Sequence, residues 1–201
     1  FLLGDPPRYE QDPSEAIGPT ARRMGRKPAE LAYEAMLENG GRGMLYVAFI
    51  NYTNGNLDTV REMLTHPSAM PGLSDGGAHC GTICDGSYST YMLMYWARDR
   101  AEGRMALPDV VRWLSHDTAA LMGLADRGLI APGLRADINV IDFDGLHLHA
   151  PEITHDLPGG MPRLVQRADG YTATVVNGTP VYRDGQPTGE LPGRLIRAGA
   201  A

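Results

Sequence analysis

The sequence has almost no lysine: Lys27 is the only one among eighteen basic residues, the rest being arginine. Together with 25 glycines and 15 prolines, this reads as a GC-rich coding bias and not as a cationic binding surface. The formal charge of −6 is spread along the chain, which argues against nucleic acid and anionic membranes as main partners. Two cysteines, Cys80 and Cys84, are too few for a disulfide framework, and a reducing cytoplasm is the default location. No apolar run approaches the ~18 residues needed to cross a bilayer. The opening Phe-Leu-Leu is too short for a signal-peptide core and has no charged stretch before it. Internal repeats and low-complexity segments are absent as well. What remains is the composition of a globular chain, 43% apolar and 21% charged, long enough to bury a core. It opens at Phe1 without a methionine, in a stretch that reads as mid-loop, and is expected to be part of a longer protein.

Residues 5–13 read as loop, and "PSEAIGPTARRM" as a weak helix damaged by Gly18 and Pro19. "KPAELAYEAMLENGG" is a stronger helix, with Pro28 at its first position and Gly40 able to cap its end. "MLYVAFI", residues 44–50, is short and continuously apolar, as a strand buried on both faces is. "NLDTVREMLTHP" reads as a helix ended by Pro67, and "AMPGLSD" as a short strand closing on Asp75. Residues 28–76 therefore carry the βαβ rhythm of a parallel sheet. Helices are expected over 87–101 and 108–124, the second broken near His116. The character then turns to β: "ADINVID" is a strand, and Asn177-Gly178 is a two-residue hairpin turn. The expected division is an α/β part, 1–126, and a mostly β part, 127–201.

The run "GLSDGGAH", residues 72–79, sets Asp75 before two glycines. Asp-Gly-Gly is ordinary turn chemistry, so this run alone does not make a site. Three segments in order carry a resemblance. "LSDGGAH" resembles the end of the eighth barrel strand of amidohydrolase-superfamily enzymes. "GLIAPGLRADINVIDFD" resembles their passage from barrel helices into a small β-domain, and "ATVVNGTPVYRDGQPTGELPGRLIR" their closing hairpin and tail. Within the superfamily the chain is similar to the N-acyl-D-amino-acid deacylases, the "DGQPTGELPGR" ending being the most telling piece.

That resemblance implies an α/β fold: the C-terminal part of a (β/α)8 TIM barrel plus part of a small β-sandwich. "LYVAFIN" would be strand seven and "AMPGLSD" strand eight, and Asp75 would stand at the strand end where such barrels hold their sites. The implied reaction is zinc-dependent hydrolysis of a linear amide. Asp75 would take the proton from metal-bound water and hand it to the leaving amine, or stand beside the metal itself. Gly76 and Gly77 would make room for the site, and His79 would touch substrate or hold Asp75. Asn51, Tyr52 and Asn54 would line the pocket, each also being plain loop chemistry.

The family pattern implies an H-x-H pair on the first strand, further histidines on the fifth and sixth, and a bridging cysteine or modified lysine. None of this is present at a barrel strand here. His147-Leu-His149 has the spacing but falls after the sandwich strand, where alternating histidines on an edge are the simpler reading. His79, Cys80 and Cys84 lack the second close ligand pair of a structural zinc, and the cysteines are expected as small buried residues. The zinc ligands are thus expected mostly from polypeptide outside this sequence. The loop after Asp75 has no arginine before Arg98, a departure from the family pattern that puts recognition of a free substrate carboxylate by this loop in doubt. His116 and Asp117 are expected at a helix start, Asp117 as its cap. Two alternatives stay open: a cyclic-amide hydrolase of the dihydroorotase or hydantoinase kind, and a non-catalytic fragment or structural partner. The expected partners are a small-molecule amide, the remainder of the barrel or a partner chain, and further copies in a homo-oligomer.

Overall fold

The computed structural model describes residues 1–52, 54–72, 74–75 and 79–196. Helices come first: α1 (Ile17–Arg23), α2 (Pro28–Gly41), α3 (Asp58–Thr65), α4 (Tyr88–Tyr91), α5 (Leu107–Arg112) and α6 (Thr118–Leu121). Eight short strands follow: β1 (Ile138–Ile141), β2 (His147–Leu148), β3 (Glu152–Leu157), β4 (Met161–Val165), β5 (Ala168–Asp169), β6 (Tyr171–Val176), β7 (Thr179–Arg183) and β8 (Gln186–Pro187). The chain forms two compact units that interleave in sequence. The first holds Phe1–Ala69, His79–Thr82 and His149–Gln166; the second holds Met70–Ala78, Ile83–Leu148 and Arg167–Ala201. Among the described residues no helix is long and apolar enough to cross a membrane.

In the first unit a capping box opens the helical run. The Asp12 carboxylate accepts from Ser14 N–H at 2.7 Å, and Glu15 accepts from Asp12 N–H at 3.2 Å. Helix α1 forms despite Pro19 because that proline lies in the first turn, where the backbone N–H has no intrahelical acceptor to lose. Helix α2 begins at Pro28 as expected. It stops being helical at Glu38 (ψ 155°), after which Asn39 and Gly40 turn left-handed at φ 53° and 72°. Helix α3 ends as His66 goes extended ahead of Pro67. Strands β3 and β4 make an antiparallel hairpin, and Leu164 N–H donates to the Cys80 carbonyl at 2.7 Å.

The expected parallel strands do not form among the described residues. Residues 44–50 make one isolated antiparallel bridge, Leu45 to Leu2, flanked by Tyr46 N–H on the Phe1 carbonyl at 2.9 Å. Beyond it Val47, Phe49 and Ile50 are 74%, 87% and 70% exposed. No strand occurs among the described residues of 69–75 either, and the described residues form no closed barrel. The reason is physical. A strand apolar on both faces owes its stability to neighbours on both sides and not to its own backbone preference.

The second unit has the larger core: Met92, Leu93, Met94, Trp96, Met105, Val110, Ala119, Leu146 and Leu148 are all buried. Helix α4 runs on as π-helix through Met92–Asp99, and α5 does so through Trp113–Asp117. The break foreseen near His116 is this change of winding. Strands β1-β6-β7-β8 form an antiparallel sheet, and β2 pairs with β5. Asn177 and Gly178 both take positive φ, 50° and 79°, as a type I′ hairpin demands. Arg98 clasps the segment after β1, donating to the carbonyls of Phe143, Asp144 and Leu146 at 2.6, 3.2 and 2.8 Å.

Gly170 is where the β5–β6 connection crosses this clasped segment. Its carbonyl accepts from Asp142 N–H at 2.8 Å. Its φ is +94°, and a Cβ there would lie 2.7 Å from Leu146 Cα. Gly170→Ala is expected to cost about 2–3 kcal/mol and roughly 5–10 °C of melting temperature. Gly133→Ala is the control: φ is +87°, but a Cβ meets nothing within 4 Å. Equal losses in the two variants, measured by calorimetry, would show that backbone strain acts alone and that the close approach is harmless.

Candidate active-site loop

Asp75 belongs to the second unit, is exposed, and holds φ at +45°. Left-handed backbone is unfavourable for a residue with a Cβ, though aspartate bears it better than most because its short carboxylate bonds locally. The conformation turns the chain sharply at the end of 69–75 and leaves the carboxylate in the open. Gly76 and Gly77 lie outside the described residues.

Sequence reasoning missed a second carboxylate. Asp85 lies in the same unit, in the loop leading to α4, and its carbonyl accepts from Tyr88 N–H at 3.1 Å. Its carboxyl is raised above the usual aspartate range, first by burial and then by the negative charge of Asp75. The signal was available: an aspartate before glycine, ten residues beyond Asp75, in a loop otherwise free of acids. A raised carboxyl keeps its proton longer in the folded chain. Its contribution therefore favours the fold at low pH and is lost as pH rises from the unfolded value through the folded one. Asp75→Asn removes the neighbouring charge and is expected to lower the Asp85 midpoint toward the ordinary aspartate value, read by carboxyl NMR titration. An unmoved midpoint would mean that the two carboxylates do not sense each other.

The other expected site residues belong to the first unit. Asn51 is exposed at φ 60° and Asn54 is exposed. His79 is exposed at φ 56° and opens a turn, its carbonyl accepting from Thr82 N–H at 2.8 Å. Tyr52 is a prop: its hydroxyl donates to the Gln11 carbonyl, its ring stands edge-on to Phe1, and burial pushes its phenol up. Asp117 does not cap a helix start. It sits within continuous helical backbone at φ −69°, 2.7 Å from His116 Nδ1 and 3.1 Å from Arg112 Nε. Its carboxyl is held low, chiefly by the His116 hydrogen bond.

For a metal the yield is small. Within the unit that carries Asp75, the described residues bring together no three His, Cys, Asp or Glu side chains. His147 stands on β2 opposite Asp169. In the first unit, His149 and Asp5 have ligand atoms within 4.8 Å of each other, one short of the three protein ligands a catalytic zinc takes. Cys80 and Cys84 are half-buried and not joined in a disulfide. The described residues around Asp75 therefore do not fit a zinc site by themselves.

An allantoinase of Streptomyces avermitilis is 33% identical over 110 residues, which is 50% of this chain and 22% of that protein. A D-aminoacylase of Alcaligenes xylosoxydans xylosoxydans is 32% identical over 144 residues, 71% of this chain and 27% of that protein. The chain thus spans about a quarter of the length of these relatives. No solved structure matches it. The amidohydrolase family matches residues 11–182, a span that takes in the Asp75 loop, the helices of both units and the sheet as far as β7, and this chain belongs to that family.

Proposed function

We propose that this chain is the Asp75-bearing, C-terminal part of a zinc-dependent amidohydrolase that cleaves the linear amide of N-acyl-D-amino acids. The observation carrying this reading is the exposed carboxylate of Asp75 on backbone held at φ +45°, inside the family match. In the reaction, water attacks the amide carbon while Asp75 accepts its proton. The same carboxyl then protonates the departing nitrogen as the C–N bond breaks. Since the described residues do not complete a zinc site, the ligands come from the remainder of the barrel or a partner chain. The 71% coverage by the D-aminoacylase supports the linear-amide reading.

A second reading, hydrolysis of a cyclic amide, has two supports. One is the allantoinase similarity. The other is Arg98, the first arginine after Asp75, which is committed to three backbone carbonyls and to Asp99 and so is not free for a substrate carboxylate. A panel of N-acetyl-D-methionine, N-acetyl-L-methionine, hydantoin and allantoin, given to zinc-loaded protein with amine or carboxylate release followed, separates them. Selective release from the D-acyl substrate supports the first reading, and turnover of the rings alone supports the second. Inertness toward all four would favour the non-catalytic, structural role.

A further inference from the structure

The first unit contains a hollow of about 360 Å³ between the N-terminal loop and α1, lined by Leu2, Arg8, Gln11, Glu15, Thr20 and Arg23 among others. Its charges do not balance. Arg8 is held by Glu15 through two hydrogen bonds, at 3.0 and 3.3 Å. Arg23 has no such partner among the described residues. Its guanidinium donates to the Ser14 carbonyl at 2.6 Å and to Thr20 Oγ1 at 3.0 Å, both neutral acceptors. Two of its five N–H groups are thereby fixed in direction while the positive charge stays uncompensated. The floor is set by Gln11, only 6% exposed, whose amide nitrogen is spent on the Leu2 and Arg8 carbonyls at 3.0 and 2.7 Å.

We infer that this hollow binds a small monocarboxylate with a short apolar body. The carboxylate would sit on the Arg23 guanidinium, and the body would lie against Leu2 and the aliphatic stem of Arg8. An oriented guanidinium suits a carboxylate better than an ammonium does, because parallel N–H groups match its two oxygens. The excess of one positive charge fits a monoanion. The site is in contact with water, so binding is expected to be weak, with Kd on the order of 1 mM and falling affinity in added salt. It is independent of the Asp75 reading, since no residue is shared.

The test is saturation-transfer NMR on the full chain with sodium hexanoate as the probe and hexanamide as its neutral twin. Saturable transfer to hexanoate but not to hexanamide is expected. Arg23→Gln should weaken hexanoate by about tenfold, while Arg22→Gln should leave it unchanged. Glu15→Gln, which keeps a side chain able to serve the capping box, frees Arg8 and should tighten binding severalfold. Circular dichroism confirms that each variant keeps its helices. Equal transfer to both probes, or hexanoate binding indifferent to Arg23→Gln and Glu15→Gln in folded variants, overturns the proposal.

Discussion

Asp75→Asn is expected to reduce the proposed amide hydrolysis by about 10²- to 10⁴-fold while leaving the melting temperature unchanged. The variant is a sharp one because asparagine has the shape of aspartate and tolerates left-handed backbone equally well, so the turn at φ +45° survives. What it removes is a group able to take a proton from water and return it to the leaving amine. Asp75→Gly makes the complementary case. Glycine relieves the backbone cost of a left-handed residue with a Cβ, about 1 kcal/mol, so this variant should be at least as stable as the parent and equally inactive. A residue whose removal stabilises the chain and stops the reaction is held there for chemistry. Kinetics on both variants, beside calorimetry, is the measurement. Full activity in Asp75→Asn would remove Asp75 from the reaction and return it to the turn chemistry that Asp-Gly-Gly ordinarily serves.

How much of this was legible in the sequence depends on whether the signal was local. The Asn177-Gly178 turn, the Pro28 start of α2 and the end of α3 before Pro67 rest on the conformational limits of one or two residues, and they appear as read. The break near His116 was visible, but its form was not. A π-helical stretch from Trp113 to Asp117 keeps Asp117 inside helical backbone, so the aspartate pairs with His116 and Arg112 and caps nothing. Strand 44–50 was read from a short, continuous apolar run, which reports what a segment can bury and not what is present to bury it. Of the two loop carboxylates, Asp75 was singled out through its motif. Asp85 showed only as an aspartate before glycine in the same loop, and its tie to Asp75, which is through space, needed the structure. The sequence showed only that the loop has no arginine before Arg98, and the role of Arg98 as a clasp on Phe143, Asp144 and Leu146 needs contacts more than 40 positions apart.

The exposed run at 47–50 leads to the second large effect. An apolar side chain of the valine, isoleucine or phenylalanine kind gains about 1.5–3 kcal/mol on full burial, and Val47, Phe49 and Ile50 forgo most of it here. The segment from Met44 to Ile50 carries no charged side chain and one bridge, so the N–H and C=O groups of 47–50 beyond that bridge are open to pairing. The isolated chain is therefore expected to associate at tens of micromolar, sedimenting well above its 21.7 kDa mass. Phe49→Glu combined with Ile50→Lys should return it to the monomer with little loss of helix signal, because neither side chain is buried in the first unit. The same double variant in protein that contains the rest of the barrel should do the reverse. There it places charges where a buried strand belongs, at a cost of several kcal/mol, and should lower stability and activity together. Sedimentation velocity on the isolated chain decides the first half. A cooperative, monomeric melt of the unaltered chain would show that 44–50 needs no partner, and that the family's barrel does not extend through this segment.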